Sequence, residues 1–260
     1  MDSILFSPKN IGNLVLKNRF VRSATHDILC DKEGFPTKES IFLHNQLAEG
    51  EVGLIIAGVA LVQKAKNNYL MHDDKCIDPW KRITDQVHAR GSAIALQLSH
   101  PGRQALPGMS GLDPIGPSPV PMAHSWPIPR EMTIADIEKM IERYAQSSRR
   151  ASEAGFDAVQ IGISDKKDEA CNREYAAILK NRVQIPISLV GGNRTPEVMS
   201  ALVQSGVTDF VSMCRPLIRE PLLVAEWKNG RLRKAKCISC NRCLFALQRG
   251  EQPRCQLDIQ

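Results

Sequence analysis

Leu189-Val190-Gly191-Gly192-Asn193-Arg194-Thr195-Pro196 reads as a strand that turns into a helix. Ile187–Val190 is a short aliphatic run, and the glycine pair ends it. Thr195 is an N-cap, and Pro196 occupies the first helical position, where its missing N–H costs nothing. This helix stops near Gly206. A second unit follows directly: strand Phe210–Met213, then Cys214-Arg215-Pro216-Leu217-Ile218-Arg219-Glu220-Pro221, then a helix over Pro221–Asn229 ended by Gly230.

The pattern extends upstream. Strands are predicted at Phe20–Ser23, Gly53–Val59, Ala93–Ser99 and Ala158–Ile163, each aliphatic and bounded by turn residues. Helices alternate with them at Thr37–Glu49, Pro79–Arg90, Ile134–Ala154 and Asp168–Arg182. Thr133 caps the third of these, and Ile134, Ile137, Ile141, Tyr144, Ser148 and Ala151 share one face that should pack inward. In the fourth, Tyr175, Ile178 and Leu179 should face inward. Such alternation specifies an α/β fold with a parallel sheet. The strand count is six, whereas a closed barrel of this type needs eight. The expectation is therefore a fold derived from the TIM barrel and short of about two β/α units. Pro101–Met132, rich in proline and glycine, reads as a long loop or lid that adds no strand.

Bulk properties narrow the function classes. A chain of 260 residues with 43% hydrophobic and 24% charged residues is ordinary for a globular protein. The net charge of +6 is modest. Its one basic run (Lys228, Arg231, Arg233, Lys234, Lys236) reads as solvated surface rather than a nucleic-acid site. The N-terminus lacks signal-peptide character, and the longest apolar run, Leu54 to Val62, is too short for a bilayer. Eight cysteines without a secretion signal fit a reducing cytoplasm. Two parts are expected, 1–230 as the partial barrel and 231–260 as a cysteine-rich tail.

Leu16-Lys17-Asn18-Arg19-Phe20-Val21-Arg22-Ser23-Ala24-Thr25, Gly191-Gly192 and Cys214-Arg215-Pro216-Leu217 together resemble the Old Yellow Enzyme family of NAD(P)H:flavin oxidoreductases. The resemblance implies FMN as cofactor, NAD(P)H as reductant, and hydride transfer to an activated alkene or similar small molecule. It places Ser23, Ala24, Thr25 and His26 against the flavin ring and Gln97 on its pyrimidine. Gly191, Gly192, Cys214 and Arg215 would hold the phosphate, aided by the helix starts at Thr195 and Pro216. A structural histidine is the alternative for His26. Gln97 needs a polar partner in any case, because it interrupts an aliphatic strand. His100 and Arg103 match the family pattern as loop anchors.

The resemblance skips a block. The family's substrate-holding histidines fall at Gly162 and Asp165, neither of which can donate a hydrogen bond to a developing oxyanion from its side chain. The fourth helix, fifth strand, fifth helix and sixth strand are missing, on the order of 100 residues at usual element sizes. Catalytic residues are therefore unassigned. Open sheet edges predict a homo-oligomer that covers them.

Cys237, Cys240, Cys243 and Cys255 form C-x2-C-x2-C-x11-C. That spacing suits a [4Fe-4S] cluster, with zinc and a free-thiol tail as alternatives. It resembles the cluster site of the dienoyl-CoA reductase and enoate reductase branch, where electrons reach the cluster from an FAD domain. The sequence ends five residues beyond Cys255, so a separate electron-donor protein is expected. Three functions follow: a flavin oxidoreductase, an iron–sulfur/FMN electron-transfer module, or a non-catalytic barrel remnant.

Overall fold

The computed structural model describes residues 3–105, 107–121, 126–161, 173, 176–177, 186–240, 242–243, 246 and 254–258. Its centre is a parallel sheet of six strands in sequence order β1 (Phe20–Arg22), β2 (Leu54–Leu61), β3 (Ala93–Ser99), β4 (Ala158–Ile161), β5 (Ser188–Val190) and β6 (Phe210–Met213). Across the sheet the order is β5-β6-β1-β2-β3-β4. This is a curled, open part of a barrel. Its two edges, β4 and β5, are consecutive in sequence, so the opening lies where the missing units belong. A two-residue strand, Tyr69–Leu70, adds to the end of β2.

The four central strands, β6, β1, β2 and β3, bury both faces, which is why they read as aliphatic runs. Phe20, Ile55, Ile94, Leu96 and Val211 join one cluster with residues of the surrounding helices. Their neighbours Val21, Leu54, Ile56, Ala95 and Phe210 form a second cluster on the concave face. That cluster is plugged from below by a hairpin, Lys9–Ile11 with Leu14–Leu16, through Ile11, Leu14 and Leu16. The sequence patterning did not reveal this hairpin.

The helices are α1 (Lys38–Glu49), α2 (Ile77–His88), α3 (Ile134–Glu153), α4 (Pro196–Gln204), α5 (Arg215–Arg219) and α6 (Leu223–Lys228). Trp80 of α2 is fully buried between Tyr69 and Phe156, at ring distances of 4.9 and 5.4 Å. The expected helix over 168–182 lies largely outside the described residues. So do Gly162, Asp165, Tyr175, Ile178 and Leu179. The segment Pro101–Met132 does contain two short strands, Ile115–Gly116 and Arg130–Glu131, which pair only with each other. It remains an excursion from the sheet.

The inward face of α3 differs from the expectation. Ile134 and Ile141 are 72% and 64% exposed, and Ile137 is exposed as well. The helix packs instead through Met140, Tyr144, Ser147 and Ala151. Among the described residues, the N-terminal half of its apolar stripe has no neighbouring unit, and β4 is the last strand on that side. No helix among the described residues is long and apolar enough to cross a membrane.

Candidate functional site

The concave face changes character toward the C-terminal ends of the strands. Below are Val21, Leu54, Ile56, Ala95 and Phe210. Two residues further along the same strands come Ser23, Gln97 and Ser212, which side-chain alternation places on the same face. The Ser23 and Ser212 hydroxyls lie 2.5 Å apart, and Thr25 Oγ1 lies 2.9 Å from Cys214 Sγ. An apolar floor under a polar layer is the surface a planar, heteroatom-rich cofactor requires.

Gln97 finds its partner on the next strand. Its Nε2 donates to Gln160 Oε1 at 3.0 Å, and the two residues are direct neighbours in the β3–β4 register. Gln160 was not singled out from sequence. The signal was present, since it interrupts Ala158–Ile161 as Gln97 interrupts β3. Gly58 sits in a bulge of β2 opposite Gln97 at φ +102°, and a Cβ there would approach Gln97 O to 3.0 Å. His26 is exposed. That removes the buried structural histidine as an account of it. His100 Nδ1 accepts from Gly102 N at 3.0 Å, so its loop is anchored locally, and burial beside Arg143 pushes its pKa down to about 4.

The Gly191-Gly192 turn follows β5, with φ of 144° and 67°. These angles bring the backbone close to whatever fills the space in front of it. A cavity open to solvent lies there, between Gly192, Asn193 and Arg194 on one side and Ser212, Cys214 and Arg215 on the other. Two guanidinium groups on its wall suit an anion. Asn193 is buried at the rim. Its Nδ2 donates to Leu189 O (2.8 Å) and Ser212 O (3.0 Å), while its Oδ1 has no partner among the described residues. A buried acceptor left open beside a cavity fits a ligand that brings its own donor, such as a polyol chain. The expected helix start after Cys214 is short, because α5 has only five residues.

Cys237, Cys240, Cys243 and Cys255 line a second cavity open to solvent, together with Arg215 and Arg219. Among the described residues no three metal-ligating side chains converge on a single-ion site. The tail is fastened to the barrel by polar contacts. Arg219 chelates Asp258 (3.0 and 2.7 Å) and donates to Lys236 O at 2.7 Å. Lys236 N donates to Glu220 Oε2, and Ala235 N to Arg194 O. Cys30, Cys76 and Cys214 lie elsewhere; burial pushes the Cys30 thiol up to about 11.

With this geometry in place, comparison with known proteins defines the class. Residues 4–166 match the model of the NADH:flavin oxidoreductase / NADH oxidase family. The chain belongs to that family. It is 35% identical to a metal reductase of Desulforamulus reducens, over 99% of this chain and 54% of the relative. That match runs over 360 positions against 260 residues, which leaves about 100 positions of the relative without a counterpart here. It is 32% identical to an NADH oxidase of Thermoanaerobacter brockii, over 72% of this chain and 31% of the relative. The chain thus spans about half or less of these relatives. Among solved structures, a 2-naphthoyl-CoA reductase complex superposes with TM-score 0.91 at 18% identity, over 99% of this chain and 57% of that one. Morphinone reductase superposes with TM-score 0.73 at 20% identity, over 90% and 93%. At these identities the likeness concerns the fold.

Proposed function

We propose that this chain is the flavin-binding part of an FMN-dependent NAD(P)H oxidoreductase acting on a small molecule with an activated alkene or a similar acceptor group. The observation that carries the reading is the polar layer of Ser23, Thr25, Gln97, Gln160 and Ser212, continuous with the arginine-walled cavity at Gly192. Ser23, Ala24, Thr25 and His26 would line the ring site, and Gln97 would meet the pyrimidine edge. Gly191, Gly192, Cys214 and Arg215 would receive the phosphate. FMN, when bound, supplies hydride transfer. The residues hold and orient it, and the apolar floor excludes water from beneath the ring. The catalytic residues stay unassigned, because Gly162 and Asp165 bring no donor to the substrate oxygen.

A specific observation supports the second reading, an iron–sulfur/FMN electron-transfer module. Four cysteines wall one cavity that adjoins the flavin site, and the arginines around them suit a cluster of net negative charge. The open edge supports self-association, since Val159 on β4 is 41% exposed and Ile134, Ile137 and Ile141 of α3 are exposed as well. A reducing cytoplasm is the compartment that suits the free thiols.

The visible spectrum of the anaerobically purified protein tests both readings. Flavin bands that persist through gel filtration are expected from the first, and an added broad iron–sulfur absorbance from the second. A colourless protein that stays colourless after reconstitution with FMN, iron and sulfide would sink both and leave the barrel remnant.

A further inference from the structure

The two cavities share a wall. Arg215 and Ser239 line both the glycine-turn cavity and the cysteine cavity. Among the described tail residues, Ser239 is the one that reaches the cavity at Gly192. It lies between Cys237 and Cys240, and its φ is +57°, a left-handed conformation that a serine adopts only where its surroundings impose it. Cys237 and Cys240 flank this turn. The same loop is joined to the glycine-turn segment by the Ala235 N to Arg194 O hydrogen bond, and to α5 by Arg219. A serine held in this way stands at the junction of two sites that the sequence places more than forty residues apart.

We propose that Ser239 is a flavin-phosphate ligand supplied by the cysteine tail, so that filling the cysteine cavity and binding FMN favour each other. This inference rests on the flavin reading above. Its physical basis is preorganisation. Without a group to hold Cys237 and Cys240, the loop must be ordered when the phosphate arrives, and the left-handed turn opposes that ordering. With the cysteines engaged, the turn is already set and the hydroxyl is in place. Linkage makes the effect reciprocal: whatever factor the cluster adds to FMN affinity, FMN adds to cluster retention. Ser239 is a binding residue in this scheme and takes no part in the chemistry.

The test titrates the full chain with FMN and, separately, with riboflavin, which lacks the phosphate. Flavin fluorescence quenching is the readout, with the chain loaded with iron and sulfide and then stripped of both. Loading is expected to tighten FMN binding by about 5- to 100-fold, the usual range for coupled sites, and to leave riboflavin unchanged. Ser239→Ala is expected to weaken FMN by about tenfold, again without effect on riboflavin, while iron and sulfide content stays at the wild-type level. Ser239→Gly relieves the left-handed backbone while removing the hydroxymethyl group, so it should lose FMN affinity to a similar degree. FMN binding that ignores both loading and residue 239 overturns the coupling and leaves the flavin reading standing. A wild-type chain that takes up no iron and sulfide also overturns the coupling. If the wild-type chain binds no FMN in either state, the flavin reading itself fails.

Discussion

Arg22 carries a charge into an apolar layer between β1 and α1. The residue is 2% exposed; its Nη1 donates to Ile56 O at 2.8 Å, and its Nη2 lies 3.5 Å from the buried Asp27. Removing one partner of such a pair strands the other in low dielectric. Asp27→Ala should therefore cost about 3–5 kcal/mol, and Arg22→Met with Asp27→Leu should recover much of that loss. Urea midpoints at constant m-value measure both; a single variant within error of wild type would mean that water compensates the arginine. A second residue-scale prediction concerns the glutamine pair. Gln97→Leu leaves Gln160 without its donor and removes the proposed pyrimidine contact. FMN affinity should fall about tenfold, and Gln160→Leu should give a smaller loss through the position of Gln97. If the two variants acted independently in a double-mutant cycle, the pair would not be the unit that meets the flavin.

At the scale of elements, α3 separates what a pattern can say from what it cannot. Its start is encoded locally: Thr133 accepts from Asp136 N, Asp136 accepts from Thr133 N, and Arg130 chelates the same carboxylate. Thr133→Ala should cost about 1 kcal/mol by thermal unfolding, and an unchanged midpoint would show that Arg130 and Asp136 hold the turn alone. Its packing face is not encoded locally. The stripe Ile134, Ile137, Ile141 is apolar at helical spacing, yet it is exposed. Periodicity finds a face but not the partner that covers it. The central strands were legible for the opposite reason: they are buried on both sides, so composition alone marks them. Phe210–Met213 and Ala93–Ser99 agree with the sequence reading to the residue. Gln160 and Ser239 were not legible as site residues, because their significance comes from register and from a tail that folds back. The exposed stripe makes its own prediction. Ile141→Lys should lower self-association measured by sedimentation at micromolar concentration, with little loss of stability. Unchanged sedimentation would place the contact elsewhere.

For the whole molecule, the open sheet concentrates stability in the layer between the strands and α1, α2 and α6, and a buried and a half-buried histidine sit in and beside it. His44 on α1 is fully buried. Its Nδ1 donates to Ser40 O at 2.8 Å, so in the neutral ring Nε2 keeps its lone pair, with no partner among the described residues. Burial, and then the Arg22 guanidinium, hold its pKa below the ordinary 6.5, against a smaller opposing pull from Asp27. His100 behaves alike, with its pKa lowered to about 4 by burial and Arg143. In the unfolded chain both rings regain ordinary values and take up protons first as the pH falls. The unfolded state then binds more protons than the native one, so stability is complete above about pH 6.5 and declines below it. His44 alone sets a limiting slope of about 1.4 kcal/mol per pH unit. Most carboxylates titrate lower, which leaves the interval from pH 6.5 to 5 to the histidines. His44→Gln keeps a donor and cannot take up the proton, so its stability should fall less steeply across that interval than the wild type's. Urea unfolding at pH 7.5, 6.5, 5.8 and 5.0 gives the comparison. Parallel curves for the two proteins would assign the acid loss to other groups.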